Sequence, residues 1–357
     1  MSSASSSDIT LDELQLAARN HGMPLEALRD AITPVGLHYL LIHFDIPEVD
    51  EQSWRLHVGG RIARDLRLSL DELKSRPERS LAVTMECAGN GRALLSPHVV
   101  SQPWLAEAVG TAEWTGTPLA GILEEAEVLA DAREVVFTGL DRGLQGDVEH
   151  LYERSLPLEE ILRGEALLAY AVNGEALPPQ HGFPLRLVVP GWYGMTHVKW
   201  LQSITVVAEP FRGWQQEVAY RLKDSEADPG SPVTRMLPRA LMIPPGIPDF
   251  LTRARHLRAG PCLLEGRAWS GWAPIELVEV SLDGGTTWSE ARLGEPVSDF
   301  AWRGWTHAWE AEPGERELSC RATDASGRTQ PPSAEWNFDG YCNNAAQRVR
   351  VVVSAPS

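Results

Sequence analysis

The sequence predicts two domains, a mixed α/β (α+β) domain followed by an all-β sandwich. The chain has 357 residues, which is longer than one hydrophobic core normally spans. Strand-like and helix-like segments alternate in the first part of the chain, whereas short strand-like segments separated by turns fill the part beyond residue 260. The Pro- and Gly-rich stretch at residues 223–248 lies between these two patterns and is typical of a linker.

The net charge of the chain limits the kinds of molecule that it is expected to bind. The chain carries 32 Lys and Arg against 49 Asp and Glu, for a net charge of −17. This argues against nucleic acid or an anionic membrane surface as the main partner, although local arginines can still bind a small anion. No apolar run approaches the roughly 18 residues of a membrane span. The N-terminal MSSASSSDIT has none of the regions of a signal peptide, so we expect a short disordered lead and a cytoplasmic protein.

Known short motifs exclude several cofactor classes. The four cysteines, at positions 87, 262, 320 and 342, form no CxxC pair. This argues against zinc ribbons, thioredoxin-type sites and c-type haem attachment. The dinucleotide and nucleoside triphosphate fingerprints are missing as well. A redox enzyme with this sequence would therefore hold its cofactor in another way.

The first segments predict a helical strap followed by strands. Residues 8–31 have helical spacing, with Asp8 or Thr10 as the helix start and Pro24 opening a second short helix. Residues 37–47, LHYLLIHFDIP, read as a strand, and residues 54–60 as another, with alternate residues buried. Residues 69–74 predict a helix that begins with a capping box.

The stretch AVTMECAGNGR, residues 82–92, is the most distinctive of the first domain. Residues 83–85 predict a buried strand that leads Cys87 to the edge of a tight turn, because Gly89, Asn90 and Gly91 tolerate positive φ. The sulfur of Cys87 could therefore face a bound group. The alternative is that Cys87 is a small core residue, which is the commoner role of a lone cysteine in an apolar strand.

The remaining segments complete both domains. The predicted elements of the first domain are a helix at 117–129, a strand at 134–139, a loop at 140–143, a helix within 152–162, a strand at 166–172 with a turn at 173–174, and a strand at 185–189. In the second domain the spacing of Cys262, Trp272 and Cys320 resembles the core of immunoglobulin-like domains. The alternatives for these two cysteines are a disulfide or two buried thiols near a tryptophan.

Three motifs together resemble the sulfite oxidase family of molybdenum enzymes. They are CAGNGR at 87–92, HGFPLRLVVPGWYGMTHVKWL at 181–201 and WNFDGYCNNAAQRVRVVV at 336–353. The likeness spans roughly residues 40 to 350. It implies a molybdopterin domain at 34–228 and an immunoglobulin-like dimerisation domain at 229–357, and thus a homodimer. The helical spacing described above places a strap before them, at 1–33.

The resemblance also implies a cofactor site. Cys87 would be the protein ligand of molybdenum, and a thiolate suits a soft metal centre. The positions that would bind the pterin are His43, Asp141, His181, Arg186, Gly194, Thr196, His197 and Lys199. Arg186 and Lys199 suit a terminal phosphate, the arginine through its planar fork and the lysine as a point charge.

On the substrate side the resemblance assigns Arg92 and Tyr220, with Arg303 as a pocket arginine from the second domain and Arg221 as a further candidate. This chain departs from sulfite-oxidising members at Leu41, where they have an arginine. Gly91, where the animal and plant enzymes have a second arginine, points toward bacterial branches of the family.

The expected function is molybdenum-dependent oxygen-atom transfer, oxidising sulfite to sulfate, with electrons passed to an external acceptor. No haem motif accompanies the two domains. Because Leu41 removes a charge-assisted contact, either another arginine replaces it or the substrate is a different sulfur or nitrogen oxo compound, such as a sulfoxide, a sulfane or nitrate. The alternatives outside catalysis are a molybdopterin-binding protein without turnover and a purely structural pair of domains.

Overall fold

A computed structural model describes residues 9–355 of the chain. Its α-helices are short: α1 (Leu11–Arg19), α2 (Leu70–Lys74), α3 (Leu119–Ala126), α4 (Leu158–Leu162) and α5 (Trp214–Glu217). Single 3₁₀ turns lie at Leu25–Arg29, Val35–Leu37, Arg92–Leu94, Pro179–His181 and Gly194–Thr196. None of the described helices has both the length and the apolarity needed to span a membrane.

The helix start predicted at Thr10 and the second short helix predicted after Pro24 are confirmed. Thr10 caps α1 and forms the reciprocal capping box with Glu13, and the 3₁₀ turn Leu25–Arg29 follows Pro24. Asp8, the other predicted helix start, lies outside the described residues. The capping box predicted at Ser69 is also present and begins α2.

The first part of the chain contains two sheets. Its strands are β1 (Leu56–Gly60), β2 (Leu66–Leu68), β3 (Arg79–Glu86), β4 (Val109–Pro118), β5 (Glu134–Gln145), β6 (Val148–Pro157), β7 (Leu167–Val172), β8 (Glu175–Ala176), β9 (Arg186–Val188) and β10 (Leu201–Val207). One sheet has the order β2-β1-β10-β5-β6, and the other has the order β3-β4-β7-β8 with β9 paired to β7. Strands β1 and β10 run parallel, and their buried faces form a core with α2, α3 and α4.

The second part consists of two packed sheets and a small ribbon. Its strands are β11 (Arg221–Leu222), β12 (Ser231–Pro232), β13 (Arg239–Met242), β14 (Ile247–Pro248), β15 (Arg255–Arg258), β16 (Gly260–Trp269), β17 (Ile275–Ser281), β18 (Ser289–Glu290), β19 (Arg292–Pro296), β20 (Arg303–Ala311), β21 (Gly314–Asp324) and β22 (Gln347–Ser354). The sheet β13-β16-β20-β19 faces the sheet β14-β15-β22-β21-β17-β18 across a core that contains Trp305, Trp309 and Leu318. Strands β11 and β12 form the ribbon.

Three sequence predictions are wrong in the first domain and the linker. Residues 37–47 form no strand beyond a single bridge of Leu40 to His21, since their polar backbone atoms bond instead to side chains such as Asn20. The predicted loop at 140–143 is part of the long strand β5, whose pairing with β6 changes register between Thr138 and Arg142. The predicted linker contains the fully buried strand β13, so it belongs in part to the second core.

The cysteine predictions for the second domain are partly wrong. All four cysteines are free, Cys320 is buried and Cys262 is half-buried. Trp272 is 44% exposed and lies outside the strands. The aromatic side chains of this core are instead Trp305 and Trp309, which the alternating pattern of β20 turns inward.

Candidate active site

A cavity of about 690 Å³, which includes the open solvent at its mouth, lies where β3, the 3₁₀ turn Gly194–Thr196 and the segment around Leu41 meet. The cavity is lined by His38, Tyr39, Leu40, Leu41, His43, Met85, Cys87, Ala88, Asp141, Tyr152, His181, Arg186, Gly194, Met195, His197, Lys199, Trp200 and Tyr220. The structure therefore brings together most of the positions predicted to bind the cofactor, although they are far apart in the sequence.

Cys87 lies directly after β3, at the start of the predicted turn. Its backbone N–H donates to the carbonyl of Ala108 at 2.9 Å, and Asn90 closes the turn by donating to the Cys87 carbonyl at 3.0 Å. Gly91 has φ +87°, which a side chain would disfavour. Burial raises the pKa of the Cys87 thiol. The thiol is thus neutral without a metal and would become a thiolate on ligation.

The second domain holds this turn in place. The Glu86 carboxylate forms an ion pair with Arg239 of β13 at 2.7 Å and accepts a hydrogen bond from Trp269 of β16 at 2.8 Å. The Asn90 amide donates to the same carboxylate at 3.0 Å. All four side chains are buried. The residue before Cys87 is therefore fixed by both domains, which limits the directions in which the sulfur can point.

Two cations line the same cavity, the buried Arg186 and the half-buried Lys199. Arg186 donates to the carbonyls of His181 and His197 at 3.0 and 3.3 Å, and its Nε has no hydrogen-bond partner among the described residues. Lys199 donates to the carbonyls of Leu41 and Gln180 at 2.8 and 3.1 Å. Burial lowers the pKa of Arg186 to about 10 and that of Lys199 to about 7. Their other contacts are the Trp114 and Trp200 rings and the Met85 sulfur, so neither cation has an ion-pair partner among the described residues. A bound anion would offset the cost of burying them.

The histidines of the cavity are neutral at neutral pH. Burial lowers the pKa of His43 to about 4, that of His181 to about 2 and that of His197 to about 3. His197 accepts a hydrogen bond from the Val189 N–H and its other ring nitrogen faces the Trp192 carbonyl, so its ring has no nitrogen left for a ligand. His43 Nε2 lies 3.0 Å from the Gln145 amide. His43 and His181 are thus the better candidates to contact a bound group.

The 3₁₀ turn Gly194–Thr196 approaches the cavity closely. A side chain at Gly194 would collide with the Tyr39 hydroxyl, so only glycine fits there. Thr196 is fully buried but does not line the cavity, and its hydroxyl has no hydrogen-bond partner within residues 9–355. The predicted loop therefore reaches the cavity through Gly194, Met195 and His197.

Asp141 of β5 has a buried carboxyl group. It is 5% exposed, and its Oδ1 has no hydrogen-bond partner in the described chain. Burial raises its pKa to about 7, against an opposing effect of Lys199. An unpartnered carboxyl in a cavity is suited to accept hydrogen bonds from the N–H groups of a bound heterocycle.

The raised pKa of Asp141 gives a pH-dependent prediction for the cofactor-free protein. The carboxyl titrates near pH 3.8 when unfolded and near 7 when folded, so the stability that its protonated form provides is lost as the pH rises from about 4 to about 7. We expect Asp141→Asn to exceed the wild type in free energy of unfolding by up to about 4 kcal/mol above pH 7. The difference should vanish below about pH 4, as denaturant unfolding would show.

Asp283→Asn is the control for this prediction. Hydrogen bonds from the Thr287 N–H and other donors lower the pKa of Asp283 to about 2, so this variant should lose stability at neutral pH instead of gaining it. If the two variants changed stability in the same direction, the burial of Asp141 would not be the cause of the predicted gain in stability of Asp141→Asn.

The substrate side agrees with the sequence prediction only in part. Tyr220 lines the cavity and has φ +54°, an unusual backbone conformation for a tyrosine. Arg92 is buried behind the Cys87 turn, where it donates to the Asp339 carbonyl at 3.0 Å and lies 4.9 Å from the centre of the Tyr341 ring. It stands near Cys87 without lining the cavity.

Two predicted arginines are absent from the cavity, and these predictions are corrected. Arg303 of β20 donates to the carbonyls of Gly294 and Ile275 inside the sandwich, because its strand directs it to the edge of the β19 pairing. Arg221 donates to carbonyls of its own ribbon, including that of Gly230 at 2.9 Å. Neither contributes a charge to the cavity lining.

Sequence reasoning missed several residues of the site. His38, Tyr39 and Tyr152 line the cavity, and the Tyr152 hydroxyl donates to the Met195 carbonyl at 2.8 Å. Arg154 lies behind Tyr220, 5.7 Å from the centre of its ring. The signal for Arg154 was its alternation with Tyr152 on one strand, which places both side chains on the same face.

The arrangement fits a metal held mainly by an organic cofactor. Within residues 9–355 no group of three or more His, Cys, Asp or Glu side chains is placed to hold a metal ion. A metal at Cys87 would therefore need its remaining ligands from a bound molecule. The unpartnered Arg186 Nε and Asp141 Oδ1, together with Lys199, offer contacts to an anionic heterocyclic group, so the residues present fit molybdopterin.

Comparison with known families gives two matches that together cover most of the chain. Residues 43–215 match the family described as "Oxidoreductase molybdopterin binding domain". Residues 247–354 match the family described as "Mo-co oxidoreductase dimerisation domain". The first match contains Cys87 and all the positions predicted to bind the pterin.

Individual relatives agree with the family matches. The chain is 37% identical over 347 residues to sulfite oxidase of Gallus gallus, covering 91% of this chain and 74% of the relative. It is 32% identical over 361 residues to nitrate reductase [NADH] of Solanum lycopersicum, covering 91% and 39%. It spans 63% of the length of mitochondrial sulfite oxidase of Rattus norvegicus. The crystal structure of the sulfane dehydrogenase SoxCD from Paracoccus pantotrophus superposes with a TM-score of 0.80 at 25% identity, covering 98% of this chain and 91% of that chain.

Proposed function

Because the chain belongs to the sulfite oxidase family of molybdenum cofactor oxidoreductases, we propose that it oxidises sulfite to sulfate. The observation that carries this proposal is the Cys87 thiol, which opens on the same cavity as the cations Arg186 and Lys199. A molybdopterin cofactor requires a soft ligand for its metal and a cationic site for its phosphate, and this cavity offers both.

The overall reaction balances with water and an external acceptor. Sulfite gains one oxygen atom that derives from water, and two electrons and two protons are released. When bound, the molybdenum cofactor supplies the oxygen-atom transfer chemistry. The electrons pass to a separate one-electron acceptor, which the motifs of this chain do not identify.

The residues of this chain would bind the cofactor, orient it and shield it from solvent. Arg186 and Lys199 would hold the cofactor phosphate, His43 and His181 would contact the pterin, and Asp141 would accept hydrogen bonds from its N–H groups. Cys87 would fix the metal end through the turn that Glu86 anchors. Orientation of this kind is a main contribution of the protein when the reactive chemistry belongs to the cofactor.

Tyr220 would bind an oxygen atom of the substrate. Burial raises the pKa of its hydroxyl, so the hydroxyl stays protonated and can donate a hydrogen bond, whereas the Tyr152 hydroxyl already donates to the Met195 carbonyl. Donors that are fixed before the substrate arrives stabilise negative charge without reorganisation.

A second substrate class is favoured by one observation. Leu41 lines the cavity at the position where the resemblance to sulfite-oxidising family members implies an arginine, so the lining lacks that charge. A sulfane, a sulfoxide or nitrate on the same scaffold is therefore the competing proposal. A molybdopterin-binding protein without turnover is disfavoured, because an idle site would not need a free thiol at the metal position.

A panel assay distinguishes these substrates. The molybdenum-loaded protein would be mixed with sulfite, thiosulfate or a sulfoxide, and an artificial one-electron acceptor would report turnover, with nitrate tested in the reductive direction. We expect sulfite to give the highest kcat/KM. A higher value for any other compound would reassign the substrate but leave the cofactor assignment intact.

We also propose an assembly and a compartment. The two packed sheets of the second part support an immunoglobulin-like dimerisation domain at 229–357, and light scattering of the purified protein would test the homodimer. The free cysteines are consistent with a reducing compartment such as the cytoplasm, which cell fractionation would test.

A further inference from the structure

The part of the cavity assigned to the cofactor has positively charged side chains in its lining, whereas the part assigned to the substrate has none within residues 9–355. Among the described lining residues, the side chains with a permanent or titratable ammonium or guanidinium group are Arg186 and Lys199. Both belong to the part of the cavity assigned to the cofactor phosphate. Leu41 is apolar, and Arg303 and Arg221 lie elsewhere. A small oxyanion at the Cys87 end would therefore need a cation from outside the lining.

Arg154 is a buried cation immediately behind that end. It is 2% exposed and lies two residues after Tyr152 on β6, so both side chains point to the same face. Its guanidinium carbon is 5.7 Å from the centre of the Tyr220 ring. Both tyrosines line the cavity. One layer of aromatic side chains thus separates the guanidinium from the space in front of Cys87.

The hydrogen bonds of Arg154 hold it in place but leave its charge unmatched. One terminal nitrogen donates to the carbonyl of Gln215, a residue that is 1% exposed. The Nε of Arg154 is buried without a hydrogen-bond partner in the described chain. Within residues 9–355 no Asp or Glu forms an ion pair with it, and burial lowers its pKa. A buried charge of this kind is expensive unless a ligand compensates it.

The groups that face Arg154 are tyrosine hydroxyls close to the thiol. Tyr152, Tyr220 and Tyr341 all interact electrostatically with Arg154 and with Cys87. The ring centroids of Tyr220 and Tyr341 are 5.2 Å apart, and Arg92 lies 4.9 Å from the centre of the Tyr341 ring. Each of these two tyrosines therefore has a buried arginine beside its ring, and Tyr220 is the one that lines the cavity.

We propose that Arg154 is the positioning residue that confers selectivity for a small oxyanion, in place of the guanidinium that Leu41 lacks. It acts through Tyr220, whose ring it lies against: its field strengthens the Tyr220 hydroxyl as a donor and stabilises the negative charge of an anion bound in front of it. This inference rests on the proposed function, since it concerns the substrate of the same site. It answers the question that Leu41 raises, because a different element of the fold supplies the missing charge.

The test compares charge-removing and charge-keeping variants of the molybdenum-loaded enzyme. Arg154→Gln keeps a hydrogen-bond donor for the Gln215 carbonyl but removes the charge, and Arg154→Lys keeps the charge but loses the planar fork. Arg303→Met is the matched control, since it removes an arginine that lies in the sandwich. The measurements are KM and kcat for sulfite, the inhibition constant of sulfate, and molybdenum content.

For Arg154→Gln we expect KM for sulfite and the inhibition constant of sulfate to rise together by about 10- to 100-fold, with kcat changing much less. Arg154→Lys should recover part of this loss and remain about 3- to 10-fold weaker than the wild type. Arg303→Met should match the wild type. A purely structural role of Arg154 would instead lower molybdenum content or thermal stability and leave both constants unchanged in the molecules that are loaded.

Wild-type constants in loaded Arg154→Gln, or a fall in kcat with constant KM, would overturn the inference. If Arg154→Gln does not load molybdenum, Arg154→Lys provides the test instead. Sulfate inhibition of Arg154→Lys equal to that of the wild type would then overturn the inference. Failure of the proposed function looks different, since the wild type itself would then neither oxidise sulfite nor be inhibited by sulfate. That result would overturn both.

Discussion

Replacing Cys87 with serine is expected to reduce turnover to the level of the enzyme-free control while leaving the fold intact. Serine has nearly the same shape, and the turn is held by backbone hydrogen bonds and by Asn90, so the free energy of unfolding should change by only about 1–2 kcal/mol. A neutral hydroxyl, however, is a poor ligand for a soft metal. The cofactor should still bind through Arg186 and Lys199, so pterin content should remain largely unchanged.

Cys320→Ser is the matched control for this variant. Cys320 is also a fully buried free thiol, but it lies on β21 in the sandwich core. Its replacement should cost stability, about 1–3 kcal/mol for burying a hydroxyl, and should leave turnover per bound molybdenum unchanged. Activity of Cys87→Ser equal to that of Cys320→Ser would rule out the thiol as the metal ligand.

Replacing Arg186 with methionine should separate cofactor binding from stability. The guanidinium is buried between carbonyl groups and above the Trp114 ring, and no carboxylate among residues 9–355 pairs with it. Methionine fills similar space without a charge, so the cofactor-free variant should be as stable as the wild type or more stable. Loss of two charge-assisted contacts to a phosphate should weaken cofactor binding by about 100-fold or more. Denaturant unfolding and the pterin content after dialysis measure these two effects.

Arg255→Met provides the comparison. Arg255 is also a buried arginine, but it pairs with the Glu26 carboxylate at 3.4 Å, on the side of the sandwich that contacts the strap. This variant should lose stability and keep its cofactor. If Arg186→Met also lost stability and kept its cofactor, Arg186 would be a structural residue and the phosphate assignment would be wrong.

The parts of the fold that the sequence predicted are those fixed by local chemistry. The capping boxes at Thr10 and Ser69 and the turn at Gly91 are present because a few neighbouring residues determine them. The alternation of β1 predicted which of its side chains are buried for a similar reason. The apolar run at 37–47 misled the prediction, because hydrophobic content alone does not distinguish a strand from a buried segment that lines a cavity.

The charges of the site were harder to predict than its cofactor ligands. Cys87, His181 and Lys199 lie in contiguous motifs, so their resemblance to a family placed them correctly around one cavity. Arg303 was misplaced because an arginine beside tryptophans on a strand can equally bond to carbonyls of the neighbouring strand. Arg154 was missed because its burial and its unmatched charge depend on contacts with Gln215 and Tyr220, which are distant in the sequence.

The most direct test of this account is the molybdenum content of the purified wild-type protein, produced in cells that synthesise molybdopterin. If Cys87 and the two cations form a cofactor site, elemental analysis should find about one molybdenum per chain, with an equal amount of pterin. Protein that folds normally but contains neither molybdenum nor pterin, while a loaded relative is produced in the same cells, would contradict the central claim.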